Sequence, residues 1–185
     1  ISVDTANLLA ATTTGVVTAS IATTETVDEL KTLTGTGNAY TIVIAGGDAT
    51  ATTAVEFNSI NGKTTVAVNL TNVTAIAGSS LTDLGTLATA ITNNEFSNAT
   101  GLTTIAVTDT TIDATTLATR IDSYDTINGG DTTDMTLASG ATINVDASEI
   151  TDMLADETAN RLTITNQVIT VTGAITVDNS NLLAA

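Results

Sequence analysis

The chain has 185 residues, enough to bury one core, and carries 20 acidic against 4 basic residues for a formal net charge of −16. With no basic patch to displace counterions it is not suited to bind nucleic acid, and no apolar run reaches the roughly 20 residues of a membrane-inserted helix. Cys, His, Pro and Trp are absent, which excludes disulfides, thiolate metal sites and the Ser-His or Cys-His nucleophile pairs.

Hydrophobic residues make up 42% of the chain but aromatics only 2%. Such a core favours thin layers of Ala, Val, Ile and Leu over a bulky centre. Thr, Val and Ile are β-branched and favour strands. The first strand-like run covers residues 16–21, followed by 40–44, 64–69, 103–107, 135–137, 142–145, 162–165 and 168–177. Alternation is clearest in Thr163-Ile164-Thr165 and Thr170-Val171-Thr172, a pattern that turns one face to a core and one to water.

Short helix-like segments lie between these runs. Each opens on an acidic residue that follows an apolar one and precedes Leu or Ile by a few positions. Asp4, Asp28, Asp113, Asp146 and Asp178 are the clear cases and read as helix N-caps, with a carboxylate accepting from the first helical N–H groups. Glu56 and Asp83 extend the series to positions 4, 28, 56, 83, 113, 146 and 178. The spacing averages about 29 residues, within the range that marks a repeat architecture. The expected fold is mainly β, a parallel β-solenoid (β-helix-like) with short helices or turns. The expected domain is 1–185, made of degenerate repeats beginning near those seven positions. Expected core residues are Val3, Leu8, Val27, Leu30, Leu33, Ile112, Leu117, Val145, Ile150, Val177 and Leu182.

One internal match is much sharper. Residues 1–11, ISVDTANLLAA, recur as 175–185, ITVDNSNLLAA, with eight of eleven positions identical. No polar cap is visible at either copy. Ile1, Val3, Leu8, Leu9, Ile175, Val177, Leu182 and Leu183 are therefore the candidate assembly interface, through which copies would join head to tail.

No catalytic residue is assigned. Without His or Cys there is no conventional general base at neutral pH, and cations and aromatic sugar platforms are scarce. Gly46-Gly47-Asp48 and Gly129-Gly130-Asp131 resemble pieces of the glycine- and aspartate-rich calcium repeats of secreted toxins. They make Asp48, Asp131 and Asp134 the candidate ligands, and Ca²⁺ the only cofactor in view.

The segments at 7–20, 32–36, 61–74, 112–121 and 144–153 carry loose versions of Val-Asp-Ala-x-x-Leu, Gly-x-Val-x-Ala-Ser and Leu-x-Gly-Thr. In these the chain resembles the large Thr/Asp/Ala-rich repeat-containing extracellular proteins of marine cyanobacteria and other aquatic bacteria. The resemblance implies an extracellular or cell-surface protein with a structural role in a fibre, filament or surface layer. An adhesin or tail-fibre shaft that binds a cell-surface glycan is the alternative. Other copies of the chain are the expected partners.

Overall fold

The structure, a computed structural model, describes residues 1–183, the side chain of Leu182 excepted. Among the described residues there are seven α-helices: α1 Val3–Thr12, α2 Val27–Leu30, α3 Ala54–Asn61, α4 Leu81–Thr92, α5 Ala114–Asn128, α6 Ile150–Thr158 and α7 Val177–Leu183. The strands are short: β1 Thr18–Ser20, β2 Ala39–Thr41, β3 Val68–Asn69, β4 Ala75–Ser79, β5 Phe96–Ser97 and β6 Thr104–Val107. They continue with β7 Thr111–Asp113, β8 Asp134–Leu137, β9 Thr142–Asp146, β10 Leu162–Thr163 and β11 Val168–Thr172. About 37% of the chain is helical and 22% strand. That overturns the expected mainly β, β-helix-like parallel β-solenoid: the chain is mixed α/β, with several small parallel sheets.

The reason lies in segments whose apolar residues follow a helical period. Leu81, Leu84, Leu87 and Ile91 recur at three- and four-residue steps along α4, and Leu117, Ile121 and Tyr124 along α5. Threonine, which favours strands in isolation, is accommodated on these helices by bonding back to the preceding turn. The hydroxyls of Thr86, Thr89, Thr92, Thr119, Thr126 and Thr158 each donate to the carbonyl four residues earlier, as does Ser123. Burial of the opposite face then outweighs the β preference of the side chains.

Among the described residues the strands form four sheets, β1-β2, β3-β5, β10-β8-β6-β4 and β11-β9-β7, and their seven pairings are parallel. The registers stack like on like: Ile105 beside Met135 beside Leu162, and Ile112 beside Ile143 beside Ile169. Parallel strands need a crossover, and the helices supply it. One apolar cluster runs from Val3 to Leu162. Phe57 and Phe96 meet edge to face within it, with centroids 6.4 Å apart.

Val3, Val27, Leu30, Leu33, Ile112, Leu117, Val145 and Ile150 are buried. Leu8 and Val177 are not, and both stand exposed in the two copies of the repeated segment. Leu182 of the expected core falls outside the described side chains.

Candidate functional site

The helix starts are built by hydroxyls more than by carboxylates. Ser2 caps α1, accepting from the Thr5 N–H, and Ser80 caps α4, accepting from Asp83. Thr26 with Glu29 and Thr53 with Glu56 form reciprocal capping boxes at α2 and α3. Asp113 caps α5 by accepting from Thr116. The remaining predicted caps lie elsewhere. Asp4, Asp28 and Asp178 are the second residues of α1, α2 and α7, where charge rather than a capping bond acts. Asp146, at the end of β9, accepts from the N–H and hydroxyl of Ser148, and the backbone bond first, then the hydroxyl, holds it below the usual carboxylate range. A Ser/Thr-x-x-Glu/Asp pattern is the readable signal for the caps of α2, α3 and α4, whereas Ser2 and Asp113 have Thr at that spacing.

A second cap reaches three helices from the segment that follows them. The Val27 N–H donates to Asp48 at 3.0 Å, the Ala54 N–H to the Ser79 hydroxyl at 2.8 Å, and the Leu81 N–H to Asp109 at 2.7 Å. In each case the acceptor comes from the next segment of the chain. Together with the helix's own cap, these satisfy N–H groups that a helix start leaves unpaired.

Three of the four basic residues, Lys31, Arg120 and Arg161, also link segments. Lys31 bridges Asp28 and Glu56, at 2.7 and 2.8 Å. Glu56 is held below its ordinary range: burial alone would raise it, but bonds from Lys31 and Thr53 outweigh that. The Arg120 Nε donates to the Leu81 carbonyl at 3.0 Å and covers Gly85, where any Cβ would collide with the guanidinium. Tyr124 beside it donates to the Leu84 carbonyl at 3.1 Å. Arg161 is ringed by Asp125 at 2.8 Å, Asp131 at 3.5 Å, Asp122 at 3.6 Å and Asp156, to which it is hydrogen-bonded. Asp125 and Asp156 are buried there. Burial pushes Asp156 above the ordinary carboxylate range despite its bond to Arg161.

The candidate metal ligands are not brought together. Asp48 caps Val27, Asp131 faces Arg161, and Asp134 accepts from the Thr163 hydroxyl at 3.0 Å. Among the described residues no group of three or more carboxylates converges as a metal site. No helix among them is long and apolar enough to cross a membrane. A groove of about 560 Å³ lies over α3 and α4 and is lined by polar groups including Asn58, Thr86, Asn93, Glu95 and Arg120.

The two copies of the repeated segment differ in what covers them. In the first, Val3 is 2% exposed and Ala6 is fully buried, in one cluster with Ile21, Leu30 and Leu33. The Ala22 N–H donates to the Ile1 carbonyl at 2.8 Å. Asn7 donates to the Thr32 carbonyl at 3.1 Å and accepts from the Thr34 N–H at 2.8 Å. In the second copy, Val177 is 76% exposed and Ile175 is exposed. There the opposite face makes the contacts: Asn179 donates to the Ala147 carbonyl at 3.0 Å, and the half-buried Leu183 packs against the core. The matching Leu9 of the first copy is 43% exposed, and Leu8 and Ile1 are also exposed.

Comparison with protein-family models, with curated proteins and with solved structures finds no match.

Proposed function

We propose that the chain is a structural subunit or repeat segment of an extracellular fibre, filament or surface layer, joined head to tail to other copies of itself. The observation that carries this reading is the repeated 11-residue segment, whose first copy buries Val3 and Ala6 while the second leaves Val177 open and bonds Ala147 through Asn179. A surface that recurs in sequence and is left open at Val177 suits a heterologous contact, which propagates instead of closing. The placement of Lys31, Arg120 and Arg161 in structural contacts fits a chain whose charges maintain a fold. The compositional resemblance supports a location outside the cell or on its surface. Electron microscopy of the purified chain, with sedimentation over a range of concentrations, tests the proposal. Filaments or open-ended oligomers are expected, and a monomer at every concentration would overturn it.

The alternative, an adhesin or tail-fibre shaft that binds glycan, draws on the open groove over α3 and α4. Its Asn, Thr, Glu and Arg side chains are hydrogen-bonding groups that suit sugar hydroxyls. Saturable glycan binding that is lost in Asn93→Ala, in a chain that stays monomeric, would favour this second reading.

A further inference from the structure

Resting on the head-to-tail reading, we infer that the joint is a shared seat: α7 of one copy takes the place that α1 occupies on residues 20–34 of a second copy. The seat of α1 is specific. It pairs the main chain at Ile1 with Ser20 and Ala22, at 2.7 and 2.8 Å, buries Val3 and Ala6, and clamps Asn7 between the Thr32 carbonyl and the Thr34 N–H.

Every one of these positions on α1 but one is repeated without change in the second copy. Ile175 stands for Ile1, Val177 for Val3 and Asn181 for Asn7, while Ser180 replaces Ala6. α7 thus carries the residues that fit the seat, and in this structure its Val177 is open. The reverse also holds. On α7 the covered face is that of Asn179 and Leu183, which bond and pack toward Ala147 and the core. The matching face of α1, with Leu9, is uncovered. A single 11-residue segment lying between Ala147 of one copy and Thr34 of the next has both faces covered. Two segments retained side by side would instead pair the Val177 face with the Leu8 and Leu9 face, a helix-on-helix contact like that of α3 with α4, and would repeat none of the bonds that hold Ile1 and Asn7 in their seat. The occupant of the exposed α7 face is therefore residues 20–34 of a second copy, entered as α1 is displaced. Copies then succeed one another with Ile175 of one standing where Ile1 of the next would be.

The chain has no cysteine, so engineered disulfides report the joint cleanly. A Thr34→Cys/Asn181→Cys double variant, oxidised as a mixture of isotopically light and heavy protein, should give a mixed-isotope 34–181 adduct by mass spectrometry. Adding Val177→Asp, at an exposed position, should reduce the adduct to background. An Asn7→Cys/Thr34→Cys variant, which links α1 to its own seat within one chain, should block the wild-type assembly. A mixed adduct in Leu9→Cys/Val177→Cys without any 34–181 adduct would mean that copies stack on a retained α1, overturning the shared seat and leaving the head-to-tail reading intact. Filaments that form without either adduct would do the same. Monomers throughout, with neither adduct, would overturn both.

Discussion

Asp109 accepts the backbone N–H of Leu81 at 2.7 Å, from the segment that follows the helix, while Ser80 caps the same helix from its own side. One helix start is thus held by two parts of the chain, so a local cap also acts as a long-range tie. Asp109→Ala should lower unfolding free energy by about 0.5–2 kcal/mol, in the range of a lost N-cap. Asp109→Asn, which keeps an acceptor, should recover most of that. Urea denaturation of the two variants measures the difference, and equal losses would show that the hydrogen bond contributes little.

Arg161 pairs with two buried carboxylates. Arg161→Met removes the charge and keeps much of the stem, leaving Asp125 and Asp156 buried without their partner. A loss of roughly 3–5 kcal/mol is expected from thermal or chemical unfolding. The triple change with Asp125→Asn and Asp156→Asn should restore a substantial part, because the uncompensated charge is what costs stability.

The Lys31–Glu56 pair sets a pH dependence. The folded pKa of Glu56 lies below its ordinary 4.5, so its contribution is fully present above that value and is lost as pH falls through the lowered one. Glu56→Gln preserves the capping geometry and removes the charge. The variant should be less stable than wild type by about 1 kcal/mol near neutral pH. The gap should close on acidification below 4.5. A gap unchanged down to the acid transition would assign the effect to packing.

Asp48 separates a structural from a metal-binding role. Its carboxylate accepts from the Val27 N–H at 3.0 Å. Asp48→Ala should therefore lower the melting temperature equally in Ca²⁺ and in chelator, corresponding to about 0.5–2 kcal/mol. A loss confined to the Ca²⁺ sample would place a cation there.

Close packing between segments makes Gly101 sensitive, because the neighbour there is main chain. A Cβ at Gly101 would lie 2.9 Å from the Val73 carbonyl, a main-chain atom with little room to move. Gly101→Ala should cost about 1–3 kcal/mol in a denaturant titration. At Gly46, nothing lies within 4 Å of where a Cβ would stand, and Gly46→Ala should be neutral or slightly stabilising.

The strands at 104–107, 134–137, 142–146 and 168–172 are legible from alternation, because their side chains turn by turns toward the core and away from it. β4, β5 and β7 are not. β4 runs through Ala and Gly, β5 has two residues, and β7 merges into α5 at Asp113. The length of α4 and α5 is hidden by threonine, whose strand preference is offset only by hydroxyl bonds to the preceding turn and by burial of the other face. The acidic markers Asp4 and Asp28 fall inside the first turns of their helices, but the hydroxyl two residues earlier holds the cap at α1 and α2. Arg161 cannot be picked out, because its partners come from positions 122 to 156 and converge only when α5 and α6 pack beside β10. The two faces of the repeated segment are likewise a property of the folded chain: Val3 and Val177 read identically in sequence.

Because Lys31, Arg120 and Arg161 are engaged in contacts within the fold, the outer surface is left with an almost unrelieved field of one sign. Under the proposed head-to-tail assembly, two copies would approach through that field before their apolar faces met. Its reach is about 10 Å at 0.1 M ionic strength and about 3 Å at 1 M. The same surface that repels a second copy in weak buffer is thus screened in brine, and the proposed joining of ends would be faster there.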